Sequence, residues 1–95
     1  LVDKLKITIV NSSLTPPQKE RYIANLNAID FASVAAIFSS ARDTLTQMDR
    51  RYILCFLADI AITDLGTIFN VETASIYTVR YRIKKKFSKD ITLPF

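Results

Sequence analysis

The sequence has no histidine and no tryptophan, and only one cysteine, one methionine and one glycine among its 95 residues. Each shortage removes a class of chemistry. Without His there is no His-based nucleophilic triad and no His-containing zinc site. The lone Cys55 permits neither an intramolecular disulfide nor a thiolate cluster, in keeping with a reducing, cytoplasmic setting, and it reads as a small core residue. With Gly66 as the only glycine, no glycine-rich loop can cradle a phosphate. Long apolar runs are missing too: the longest, Ile53 to Ala58, ends at Asp59, whereas a membrane span needs about 20 such residues. The expectation is therefore a non-enzymatic chain with no catalytic residue, no cofactor, no metal site and no membrane contact. Its length suits one domain with a modest core. It opens on Leu1 rather than Met, so it reads as a fragment or a processed product.

What is present is charge, unevenly placed. Residues 1–69 balance seven Lys/Arg against seven Asp/Glu, while residues 70–95 hold Arg80, Arg82, Lys84, Lys85, Lys86 and Lys89 against only Glu72 and Asp90. The whole formal charge of +4 thus sits in the last 26 residues. A basic end on a neutral body points to a polyanion, either nucleic acid or an acidic surface.

Along the chain, residues 4–10 alternate polar and apolar side chains and read as a strand. A helix with Leu1, Leu5 and Ile9 on one face is the competing reading. Beyond the loop Asn11-Ser12-Ser13, Thr15-Pro16-Pro17-Gln18 carries an N-cap, an N1 proline and a capping-box Gln. The helix that follows runs to about Ala28, with Tyr22, Ile23 and Leu26 inward. Asp30 caps the next, whose expected inner face is Phe31, Val34, Ala35 and Phe38. Thr46-Gln47-Met48-Asp49 opens another, with the stripe Met48, Tyr52, Cys55 and Phe56. Thr63 is expected to cap a short helix from Asp64 to Phe69. A turn at Asn70-Val71 then leads into a helix over about Thr73–Phe87 with the narrow stripe Ile76, Val79, Ile83 and Phe87.

Those last two elements have the pattern of a helix-turn-helix. Gly66 supplies a small residue where the helices approach, and Ala is expected to be tolerated there as a better helix former. Asn70 tolerates a left-handed backbone in the turn. Leu65, Phe69, Val71, Ile76 and Val79 are placed to lock the pair. The fold class expected is all-α: a small helical bundle with a C-terminal helix-turn-helix over 45–95, preceded by an extra helical pair within 1–44. That pair serves either packing or dimerisation.

The stretch from Leu45-Thr46 to Phe87, with its run Arg80-Tyr81-Arg82-Ile83-Lys84-Lys85-Lys86, resembles the LuxR/GerE-type DNA-binding output domain of bacterial transcription regulators. The likeness covers about 43 of the 95 residues. It implies a cytoplasmic signal-transduction factor whose last helix docks in the major groove of double-stranded DNA. It further implies base contacts from Tyr77, Thr78 and Tyr81, and phosphate contacts from Thr73 and Ser75 near the helix start. Arg80, Arg82, Lys84 and Lys85 would add backbone or groove contacts. A homodimer is a further partner expected, and RNA polymerase is one acidic partner that the basic helix could meet. A basic-helix module that binds an acidic protein is the alternative. The family commonly has Ala where Gly66 stands and His where Val79 stands, and its fourth helix finds little room in Ser88–Phe95, which contains Pro94.

Overall fold

The computed structural model describes all 95 residues and contains six helices and no strand. They are α1 (Val2–Val10), α2 (Pro16–Asn27), α3 (Phe31–Ser40), α4 (Gln47–Leu57), α5 (Ile62–Phe69) and α6 (Thr73–Lys84). Three helices, rather than a pair, therefore precede α4. Residues 4–10 are helical despite their alternation. Leu5 and Ile9, one turn apart, are buried, while Ile7, which would share their face in a strand, is 60% exposed. A strand here would have no partner for its backbone groups, whereas a helix satisfies them internally and turns Leu5 and Ile9 onto its neighbours α2, α4 and α5.

The capping signals act as read. The Thr15 hydroxyl accepts the Gln18 N–H, the Gln18 side chain accepts the Thr15 N–H at 3.0 Å, and Pro16 occupies the first helical position. Asp30 accepts the Ala32 N–H at the start of α3. Phe31, expected inward, is 65% exposed. The inner side of α3 is carried instead by buried Val34 and half-buried Ile37 and Phe38. Ala35 is exposed as well. On α4 the stripe includes Tyr52, Cys55 and Phe56, but Met48 faces out and Asp49, the capping-box acid, takes the buried place. Cys55 is fully enclosed, and burial pushes its thiol up to about 12.

Two left-handed residues bracket α5, and both are types that accept that conformation without being glycine. Asp59 (φ 58°) follows α4, where Ile60 N–H bonds the Cys55 carbonyl and Asp59 N–H bonds that of Phe56. This is a Schellman closure whose following residue, Ile60, is buried. Asn70 (φ 54°) ends α5. The chain thus turns into α5 earlier than the sequence suggests: the helix begins at Ile62, its N-cap is Ala61 with no side-chain bond, and Thr63 lies inside its first turn.

A single core joins the N-terminal helices to the helix-turn-helix. Leu5, Ile9, Tyr22 and Leu26 belong to the same buried cluster as Ile53, Leu54, Leu65, Ile76 and Ile83. Polar bonds fasten the same seam. The Tyr22 hydroxyl donates to the Asp64 carboxylate, and the Asn25 amide donates to the Ala58 carbonyl at 2.9 Å. The Cα radius of gyration is 13.0 Å, the value of a compact domain of this length. No single helix is long and apolar enough to cross a membrane.

Candidate nucleic-acid interface

The joint between α5 and α6 depends on Gly66. Val71 N–H donates to the Gly66 carbonyl at 2.9 Å, closing α5 and drawing the turn down onto its last coil. A Cβ added at Gly66 would stand 2.8 Å from the Val71 carbonyl oxygen, which belongs to rigid backbone. The close approach is therefore to the turn rather than to α6. It corrects the expectation that Ala fits at 66: even one methyl requires the turn to move. Leu65 and Ile76 are fully buried across this joint, while Val71, expected to help lock it, is 41% exposed.

Helix α6 is shorter than its apolar stripe. It ends at Lys84, one turn before Phe87, because the Lys86 carbonyl accepts the Arg42 and Asp43 N–H groups at 2.9 and 3.3 Å. Phe87 pairs in an isolated antiparallel bridge with Ala41 and remains buried. Lys86 also leaves the basic set. Its ammonium lies 2.6 Å from the Asp49 carboxylate and 3.0 Å from the Thr44 carbonyl, so it ties the end of α6 to the start of α4. Burial pushes the Asp49 carboxyl up, but the Lys86 ammonium and the Thr46 N–H outweigh it and hold the group below the usual carboxylate range.

What remains free on α6 is arranged by helical geometry. Ile76 and Ile83 point inward with no exposure. On the opposite side two i, i+4 ridges run along the helix, Tyr77–Tyr81–Lys85 and Ala74–Thr78–Arg82; all six residues are exposed. Tyr77 and Tyr81 are 55% and 63% exposed, so neither covers an edge of the core nor rests against α2 or α3. The Lys85 ammonium lies 4.8 Å from the Tyr81 ring centroid, a cation–π contact within the C-terminal part of that ridge. The Thr78 hydroxyl donates back to the Ala74 carbonyl at 3.1 Å, leaving its methyl and lone pairs outward. Ser75 is exposed on the first turn. Thr73, Arg80 and Lys84 are half-buried and flank the outward face rather than lying on it; the Thr73 hydroxyl is 3.7 Å from the Cβ position of Gly66.

Sequence reading missed one cation. Arg42, on the connection between α3 and α4, is brought to the end of α6 by the Lys86 carbonyl. It lines a cavity of about 470 Å³ together with Tyr81, Lys84, Lys85, Lys89 and the tail. No local signal marked it; only the pairing of Ala41 with Phe87 brings it there. No group of His, Cys, Asp and Glu residues is placed to hold a metal ion. The chain matches no protein-family model, no curated protein and no solved structure.

Proposed function

We propose that this chain is a sequence-specific, double-stranded DNA-binding domain of a transcription regulator, non-enzymatic, with α6 as the helix that enters the major groove. One observation carries the reading. The second helix of a tightly turned pair fully buries only Ile76 and Ile83, packs half-buried Val79 beside them, and offers water an aromatic and basic face that the fold itself does not use. An α-helix fits the major groove, whose edges present acceptors, donors and thymine methyls to such side chains. The resemblance of residues 45–87 to the LuxR/GerE-type domain points the same way, and a cytoplasmic location and a homodimer go with it. An acidic protein surface, such as that of RNA polymerase, is the competing target for the same face.

The experiment is selection of randomised duplexes on the immobilised 95-residue chain, followed by fluorescence anisotropy over a range of salt. Enrichment of one motif, with Lys85→Ala lowering the salt slope by about one on every duplex, is the expected result. Failure to enrich any motif, with binding that stays the same for all duplexes, would overturn sequence-specific recognition.

A further inference from the structure

We infer that the segment before the helix-turn-helix takes part in binding through Arg42, which with Lys84, Lys85 and Lys89 forms a cationic cleft that holds the sugar-phosphate strand flanking the groove entered by α6. The inference rests on the DNA-binding reading and extends its footprint onto residues that the helix-turn-helix pattern does not include.

Three separated stretches build the cleft: the α3–α4 connection with Arg42, the end of α6 with Tyr81, Lys84 and Lys85, and the tail with Lys89. Four of its ten lining residues are cations and none is an acid. The rest of its lining is largely apolar, with Phe87, Ile91, Leu93 and Phe95. Such a lining suits the methylene stems of Lys and Arg, whose charged heads stay in water. The position is held firmly. Arg42 N–H is bonded to the Lys86 carbonyl at 2.9 Å, and Lys86 is itself anchored by Asp49.

Dimensions choose the ligand. Twelve residues of α6 span roughly 18 Å at about 1.5 Å each, whereas the major groove is about 12 Å wide. In a helix-turn-helix the N-terminal part of the second helix meets the base edges. The far end of α6 therefore emerges at the groove's lip, where the phosphates run. A strand passing over the cleft needs only one face covered. A small organic anion would need to be mostly enclosed for comparable affinity, and this cleft is not an enclosed cavity.

The test uses the whole 95-residue chain and the selected site in two duplexes, one ending at the motif and one carrying an added flank of several base pairs on each side. Arg42→Ala and Lys89→Ala are each expected to lower the salt slope by about one on the flanked duplex and to leave the short one unchanged. Arg42→Lys should keep the slope. Lys4→Ala, an exposed cation on α1 that does not line the cleft, serves as the control that changes neither. Both Arg42 and Lys89 side chains are exposed, and circular dichroism verifies that each variant folds. Equal slopes for Arg42→Ala and the unaltered chain on the flanked duplex, with Arg82→Ala, exposed on α6 and outside the cleft, active as a slope mutant, would overturn the cleft while leaving the DNA reading intact. Loss of motif enrichment altogether would instead sink the DNA reading. Binding of sodium decanoate that Arg42→Ala abolishes, with the duplex neither displaced by it nor changed in salt slope by Arg42→Ala, would assign the cleft to a small amphiphilic anion and so also overturn the inference.

Discussion

Gly66 and Cys55 show how much a single side chain decides here. The turn carbonyl of Val71 occupies the space a methyl at 66 would need, 2.8 Å from its Cβ position. Ala is intrinsically the better helix former by about 1 kcal/mol, yet forcing extra volume against fixed backbone costs roughly 1–3 kcal/mol. Gly66→Ala is therefore expected to lower the thermal midpoint, and Gly66→Val to lower it further. A melt in which Ala raises the midpoint would show that the turn relaxes freely. Cys55 makes the opposite kind of statement. Its thiol is enclosed and pushed up to about 12, and the thiolate is the reactive form. In native protein at pH 8 it should resist a thiol reagent such as iodoacetamide, and in denaturant it should react fully. Rapid labelling of the folded chain would contradict its burial.

At the scale of elements, one ion pair fastens the chain just past α6 to α4. The Lys86–Asp49 contact joins the end of α6 to the capping box of α4, and the Asp49 side chain is only 6% exposed. Removing the carboxylate in Asp49→Asn leaves Lys86 without its partner and is expected to cost about 1–3 kcal/mol at pH 7, the range for a charged hydrogen bond. The sign with pH follows from the lowered carboxyl. Its contribution is complete above the ordinary Asp value of about 3.9 and disappears as the pH falls below it, through the still lower folded value. The stability gap between the two proteins in urea should therefore stay constant from neutral pH to about pH 4 and narrow progressively as the pH falls further; a gap that does not narrow at all on acidification below about pH 4 would assign the effect to packing. The outward ridges of α6 carry the second prediction at this scale. Replacing Tyr77 or Thr78 by Ala should weaken binding to the selected site by about 1–3 kcal/mol while barely changing binding to random duplex. Equal losses on both would make these side chains positioning groups rather than readers of sequence.

For the whole molecule, the shared core is the governing fact. Residues on α1 bury against α4 and α5, Tyr22 and Leu26 of α2 belong to the same buried cluster, and Tyr22 and Asn25 make polar bonds across the same boundary. Contacts of this kind couple the halves, so the 95-residue chain is expected to unfold in one transition, seen at the same denaturant concentration by circular dichroism and by tyrosine fluorescence. Separate midpoints for the two probes would show that the helix-turn-helix melts on its own. The same rigidity places the neutral N-terminal body behind the basic face, and it brings Arg42 to that face.

The features legible in the sequence are those governed by short-range chemistry. The capping boxes at Thr15–Gln18 and Thr46–Asp49, the Asp30 cap, the left-handed Asn70 and the inward Ile76 and Ile83 all act within a few residues of themselves. A side-chain oxygen three residues from an unpaired N–H, or an apolar stripe at helical spacing, needs no distant partner to be recognised. Tertiary structure decided the rest, because those outcomes depend on what arrives from elsewhere in the chain. Alternation in residues 4–10 yielded to helix because the core offered a place for Leu5 and Ile9 and no neighbouring strand existed. Phe31 points out because α3 has only one side against the core, taken by Val34, and Met48 points out because in the first turn of α4 the buried place goes to Asp49 with its partner Lys86. Helix α6 stops early because backbone donors from residues 42 and 43 capture a carbonyl more than 40 positions away. Gly66 could be read as a site needing a small residue, but that it excludes even a methyl follows only from where the Val71 carbonyl comes to rest.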